Sequence, residues 1–282
     1  MNNKKTIRNI LVFIAIVTIG GWVGVIVDKF LPPQPSENTL GMGIWLVTPL
    51  LTVIVLRTFF GDGWKDAGLK LNLKSGSVWY VVSLIVFPLV TGIVLGIGKL
   101  TRWIDFPNFN VSAFAKVFIG LLIVNFIKNI FEESVWRGYL TSKMINLNVG
   151  DFSIYLVVGL VWSIWHLPYY LLFLSESTIT SVLPVNRIIF FFVAMVNMLI
   201  WTVMFVEIYR LTNSIWSVVL LHTVEDSLVN PLVIDGYIKI ISNKEIFISP
   251  ICGIIAALLY LSIGLALRKI RKSNSNIGRL GG

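Results

Sequence analysis

The stretch "NIFEESVWRGYLTSKM", residues 129–144, decides how the chain is read. An apolar run from residue 113 leads into it, long enough to suggest membrane. Two adjacent carboxylates, Glu132 and Glu133, end that run, and Arg137 follows. Ionisable groups at membrane depth are costly and mark functional sites by default. Helical spacing separates the two acids. Glu133 and Arg137 are four residues apart, share a face and can pair; Asn125 and Asn129 extend that face. Glu132 is turned about 100° away, on a face with Lys128 four residues earlier. Two readings stay open. Either Glu133–Arg137 is a structural ion pair and Glu132 acts as a base, or Glu132 also merely pairs, with Lys128.

Composition sets the class. Of 282 residues, 56% are hydrophobic and only 13% charged, and the mean hydropathy is +0.84. A soluble domain carries about 25% charged residues. The expected architecture is therefore an all-α polytopic membrane protein, with residues 1–282 forming one membrane domain. The net charge of +9 is assigned to cytoplasmic loops and anionic lipid headgroups. No basic tract interleaved with aromatics points to nucleic acid. The lone cysteine, Cys252, excludes an internal disulfide and a thiolate metal cluster.

Spans of about 20 apolar residues cross the hydrocarbon. Eight are expected: 10–27, 40–60, 78–98, 113–131, 153–174, 188–208, 214–232 and 248–267. The first has signal-like flanks, Lys4, Lys5 and Arg8, but it is long and lacks a small-residue cleavage pattern, so it reads as an uncleaved membrane helix. The fourth is expected to run on past Arg137, as far as Ile145. Lys and Arg concentrate in the segments that become cytoplasmic if the N-terminus is inside, which predicts both termini there.

The only two histidines, His166 and His222, both fall inside expected spans. His166 sits in "WSIWHLPYY", with Trp162 one turn before it and Pro168 after, where a proline frees carbonyls and bends the helix. His222 sits in "LHTVEDSLVN", four residues before Asp226, which can orient it. Glu225 also lies at this depth. Taken singly, each histidine could be a packed side chain and each acid a polar seam between helices. Together, a carboxylate and two imidazoles from three spans are what water activation requires. Depth agrees only in part. His222 lies roughly 12 Å and His166 roughly 20 Å from the starts of their spans, so they meet only if the fifth span starts later, tilts or sits higher.

These residues form three ordered motifs: Glu132-Glu133-x-x-x-Arg137, an aromatic four residues before His166, and His222 four residues before Asp226. The pattern resembles the CAAX-protease and bacteriocin-processing (Abi) family of intramembrane proteases. Trp162 stands where that family has phenylalanine. The motif-bearing region is 113–232. The resemblance implies a CAAX-protease-like helical bundle that cleaves a membrane-associated peptide or protein in a water-accessible cavity. It implies that Glu132 and His166 activate water, that His222 and Asp226 stabilise the oxyanion, and that Glu133, Arg137 and Trp162 support the site. It permits a zinc mechanism, with Glu132, His166 and His222 as candidate ligands, or a metal-free glutamate mechanism. The alternative function is a non-enzymatic membrane scaffold or bacteriocin-immunity protein that binds a peptide or a sensor kinase. A transporter is disfavoured, since the sequence shows no inverted repeat.

Overall fold

The computed structural model describes residues 3–107 and 109–280, with the backbone alone for 75 and 275–280. The helices are α1 (Asn3–Lys29), α2 (Leu40–Phe59), α3 (Leu73–Leu100), α4 (Val111–Val135), α5 (Ser142–Asn146), α6 (Asp151–Trp165), α7 (Glu176–Val182), α8 (Arg187–Thr212), α9 (Ile215–Ile234), α10 (Glu245–Ile248) and α11 (Ile254–Leu280). Two π-helical segments, Trp136–Thr141 and Tyr169–Phe173, follow α4 and precede α7. Two-residue strands, β1 (Ile104–Asp105) and β2 (Lys239–Ile240), pair antiparallel.

Seven helical spans among the described residues are long and apolar enough to cross a membrane. They include the expected long fourth one, Val111–Asn146, which is 36 residues through its π turn. The eighth expected span falls on α11. Its apolar part, 254–267, is about 21 Å long before Arg268, Lys269, Arg271 and Lys272 begin, short of the ~30 Å hydrocarbon. The fifth expected span is not one continuous α-helix either. α6 stops at Trp165, and the chain continues through Pro168 into the π segment.

The chain divides into two compact units. The first comprises residues 1–68, 131–180 and 184–199. Here α1 and α2 run antiparallel: Asn9 Nδ2 donates to the Phe60 carbonyl at 3.2 Å, and Asp28 Oδ1 accepts from the Gly41 amide at 2.7 Å. Gly24 and Gly41 permit this approach, because a Cβ on either would collide with the other's carbonyl. Small residues let membrane helices close on one another in this way. Gly21 leaves the space that Pro168 and Trp45 occupy. Trp45 and Trp165 stack at 4.2 Å and exchange hydrogen bonds, each indole N–H donating to the other's carbonyl, at 2.8 and 3.2 Å. The proline-freed end of α6 thus has its polar backbone satisfied by a side chain.

The second unit comprises residues 69–130, 181–183 and 200–282. α9 is its most enclosed span, capped by Ser214, whose hydroxyl accepts from the Trp216 amide at 3.3 Å. Arg271 on α11 makes a two-pronged bond to the fully buried Glu207 of α8, at 2.5 and 3.0 Å. The planar guanidinium fork suits a buried carboxylate.

Candidate active site

In the first unit the EExxxR stretch sits where α4 gives way to the π segment. Glu133 and Arg137 form the expected ion pair at 2.9 Å, both side chains fully buried. The four-residue interval across an α-helix end makes this pairing local. Glu132 points elsewhere, as its 100° offset requires. It is 6% exposed and accepts at 3.2 Å from the indole N–H of Trp162 on α6. The same indole lies under Arg137, whose guanidinium carbon is 4.4 Å from the ring centroid. Trp162 therefore holds two of the three charged residues of the first motif, Glu132 by a hydrogen bond and Arg137 by a cation–π contact.

His166 caps the C-terminus of α6, its backbone N–H donating to the Trp162 and Ser163 carbonyls at 3.3 and 3.1 Å, and it is buried. Its Nδ1 lies 2.9 Å from the Trp162 carbonyl. A carbonyl can only accept, so Nδ1 carries the proton of the neutral ring and Nε2 is the basic nitrogen. Tyr170 stacks on the imidazole at 5.5 Å and 18°, with Trp45 and Trp165 edge-on. Pro168 and the π turn that follows aim these rings: the Leu174 amide reaches back five residues to the Tyr169 carbonyl at 2.9 Å.

A polar latch braces the other π turn. Thr141 Oγ1 donates to the Trp136 carbonyl at 2.7 Å, and the Ser142 amide bonds the Arg137 carbonyl five residues back. The buried Arg57 of α2 donates to the Gly138 carbonyl at 2.5 Å, to Asp66 at 2.6 Å, and to the Gly63 carbonyl. Lys143, fully buried, meets Asp66 at 2.8 Å and the Asp62 carbonyl at 2.8 Å, and Tyr139 donates to Asp62 at 2.7 Å. Burial acts to raise the Asp66 carboxyl, but the hydrogen bonds and charges of Arg57 and Lys143 outweigh it and hold the group below the usual carboxylate value. Sequence reasoning missed this latch. Its residues are spread over α2, the loop after it and the end of the fourth span, with no fixed interval to reveal them.

The second unit holds the third motif. His222 Nε2 is 3.8 Å from Asp226 Oδ2, close but outside hydrogen-bond range. Asp226 is engaged from α4: Lys128 pairs with Oδ2 at 2.9 Å, and Asn129 donates to the same oxygen at 2.7 Å. Asn230 donates to Oδ1 at 3.3 Å, and Asn125 bonds Ser227 at 3.0 Å. Lys128, considered at first as a partner for Glu132, is thus an ion-pair partner of Asp226. Glu225, 3% exposed, joins His222 and Asp226: each offers a ligand atom, and these lie within 4.8 Å of one another. Sequence reasoning named Glu225 as deep but assigned it no role. Its position three residues after His222, on the same helical side, was the available signal. Of the residues expected at the site, Glu132, Glu133, Arg137, Trp162 and His166 gather in the first unit, and His222 and Asp226 in the second.

The buried group of His222, Glu225 and Asp226 and the buried Glu132 and His166 thus lie on a helical scaffold with seven spans apolar enough to cross a membrane among the described residues. Residues 114–228 match the family model described as type II CAAX prenyl endopeptidase Rce1-like. The match bears out the resemblance drawn from the three motifs, and it supports a CAAX-type intramembrane endopeptidase in general. No curated protein matches the chain.

Proposed function

We propose that the protein hydrolyses a peptide bond of a membrane-associated peptide or protein, with Glu132 as the base. The observation that carries this reading is the division of labour between the paired acids. Glu133 is neutralised by Arg137 at 2.9 Å, while Glu132 is held by a neutral donor, the Trp162 indole, at 3.2 Å. The indole bond fixes the direction of one Glu132 oxygen, and a positioned carboxylate is the group a general base requires. In this reading Glu132 takes a proton from water, the hydroxide oxygen attacks the carbonyl carbon, and the proton passes to the leaving nitrogen as the C–N bond breaks. His166, with Nε2 as its basic nitrogen, positions the water. His222 and Asp226 are assigned the developing oxyanion, His222 as the hydrogen-bond donor. Glu133 and Arg137 keep the helix end in place.

The donor set also fits a divalent ion in type. His222, Glu225 and Asp226 offer one imidazole and two carboxylates within 4.8 Å of one another, the ligand kinds zinc takes. Glu132 and His166 remain candidate ligands from the first unit. Bound there, zinc would supply Lewis acidity toward water or a carbonyl oxygen. Asp226 is the least available donor, since Lys128 and Asn129 share its Oδ2 and Asn230 bonds Oδ1.

The bias of Lys and Arg supports a cell-membrane location with both termini cytoplasmic, which requires α11 to cross as well. The deciding experiment is a comparison of the membrane proteome and of a verified substrate between wild type and Glu132→Gln. Gln can still accept from Trp162 but cannot act as a base, so cleavage should fall by about 10²-fold or more. Full cleavage by Glu132→Gln overturns the assignment.

A further inference from the structure

The α1–α2 pair ends in a cavity of about 530 Å³ lined by Lys4, Lys5, Arg8, Phe59 and Phe60. Three cations and two aromatics line it, and no carboxylate is among the described lining residues. The depth of this cavity follows from helix length. α1 is 27 residues, about 40 Å, whereas α2 is 20 residues, about 30 Å. The hydrocarbon is about 30 Å thick, so α2 spans it and α1 overshoots. The bond from Asn9 Nδ2 to the Phe60 carbonyl, 3.2 Å, sets Asn9 level with the end of α2. Residues 3–8 therefore stand about 9 Å beyond that level, in the headgroup layer. Phe59, 77% exposed, and Phe60, 47% exposed, lie at the boundary below them.

The cations are aimed by fixed parts of the pair. Asn9 is 1% exposed and accepts from both Nε and Nη2 of Arg8, at 3.2 and 2.9 Å. Gly61, at φ 76°, has no side chain, and the Lys5 ammonium lies in the space a Cβ would take. We propose that this cavity binds the phosphate of an anionic phospholipid headgroup, with Lys4, Lys5 and Arg8 around the phosphate oxygens. Phe59 and Phe60 lie against the glycerol and the first methylenes. Guanidinium and ammonium groups together suit a phosphodiester, and the aromatic floor favours a lipid over a soluble phosphate.

The test uses the full chain in detergent, titrated with phosphatidylglycerol or phosphatidylcholine of identical acyl chains and read by native mass spectrometry. Wild type should retain phosphatidylglycerol at about tenfold lower concentration than phosphatidylcholine. K4Q/K5Q/R8Q should lose that preference, while the charge-matched K65Q/K70Q/K74Q keeps it. Lys5→Gln, a single exposed change, should weaken it in part and serves if the triple variant does not fold. Glycerol 3-phosphate should not displace the lipid. Equal retention of the two lipids by wild type, or an unchanged preference in Lys5→Gln and the triple variant, overturns the proposal. Displacement by glycerol 3-phosphate would make the cavity a soluble-phosphate site and also overturn it.

Discussion

The indole N–H of Trp162 donates to Glu132 Oε2 at 3.2 Å, and the face of the same ring carries Arg137 at 4.4 Å. Phenylalanine, which the family has at this place, could supply the second contact and not the first. Trp162→Phe should therefore leave the fold and the Glu133–Arg137 pair intact while loosening Glu132. Bonds to charged groups are worth about 1.5–3 kcal/mol, so cleavage of a verified substrate should drop roughly tenfold to a hundredfold. Wild-type turnover in Trp162→Phe would show that the indole donor has no part in catalysis.

Removing one member of the buried Glu133–Arg137 pair strands the other in an apolar interior. Arg137→Ala or Glu133→Leu should each destabilise by about 3–5 kcal/mol, read as a lower melting temperature in detergent. The double variant E133L/R137L should recover much of the loss, because no charge is left behind. Single variants that melt like wild type would contradict the structural role.

Lys128 pairs with Asp226 Oδ2, so a divalent ion held by His222, Glu225 and Asp226 would have to compete with its ammonium for that oxygen. Lys128→Met should therefore increase zinc uptake by purified protein, measured by titration with a zinc indicator. His222→Ala and Glu225→Ala should each weaken uptake by about 10- to 100-fold. If Lys128→Met takes up no more zinc than wild type, the ammonium is not competing for this oxygen.

Asp66 carries a pH signature. Its carboxyl is depressed in the folded protein by Arg57 and Lys143, so it binds protons more weakly there than in the unfolded chain. Its contribution is present above the unfolded value of about 4 and fades as pH falls through the lower folded value. Asp66→Asn should lower the melting temperature at pH 7 and converge on wild type in acid. A deficit that stays constant across that range would locate the effect in lost packing.

Much of the site was legible because helical spacing is local. Glu133–Arg137 follows from an interval of four, and the separate direction of Glu132 from the next residue's rotation. The Lys128–Asp226 pair joins α4 to α9 and has no interval to reveal it. Read along one helix, Lys128 had Glu132 as its nearest partner. Trp162 was read as an aromatic in a phenylalanine's place, and only its contact with Glu132 shows the use of its N–H. The apolar pattern fixed membrane helices well. It was less regular at 248–267, where an apolar start passes into the basic turn of α11, and it ran smoothly over Pro168, where the backbone breaks.

The π segment at Trp136–Thr141 has a consequence for how the long fourth span can vary. A π turn holds one more residue than the α turn it replaces, and each residue advances the helix by about 100°. The segment is thus a phase joint. Ahead of it, Glu132 and Glu133 keep the register that serves Trp162 and Arg137; behind it, Lys143 keeps the register that serves Asp66. Tightening this π turn into an α-helix with all its residues kept would swing Lys143 by about that angle away from the latch, so the two halves of the helix cannot be re-registered independently of the loop that follows α2.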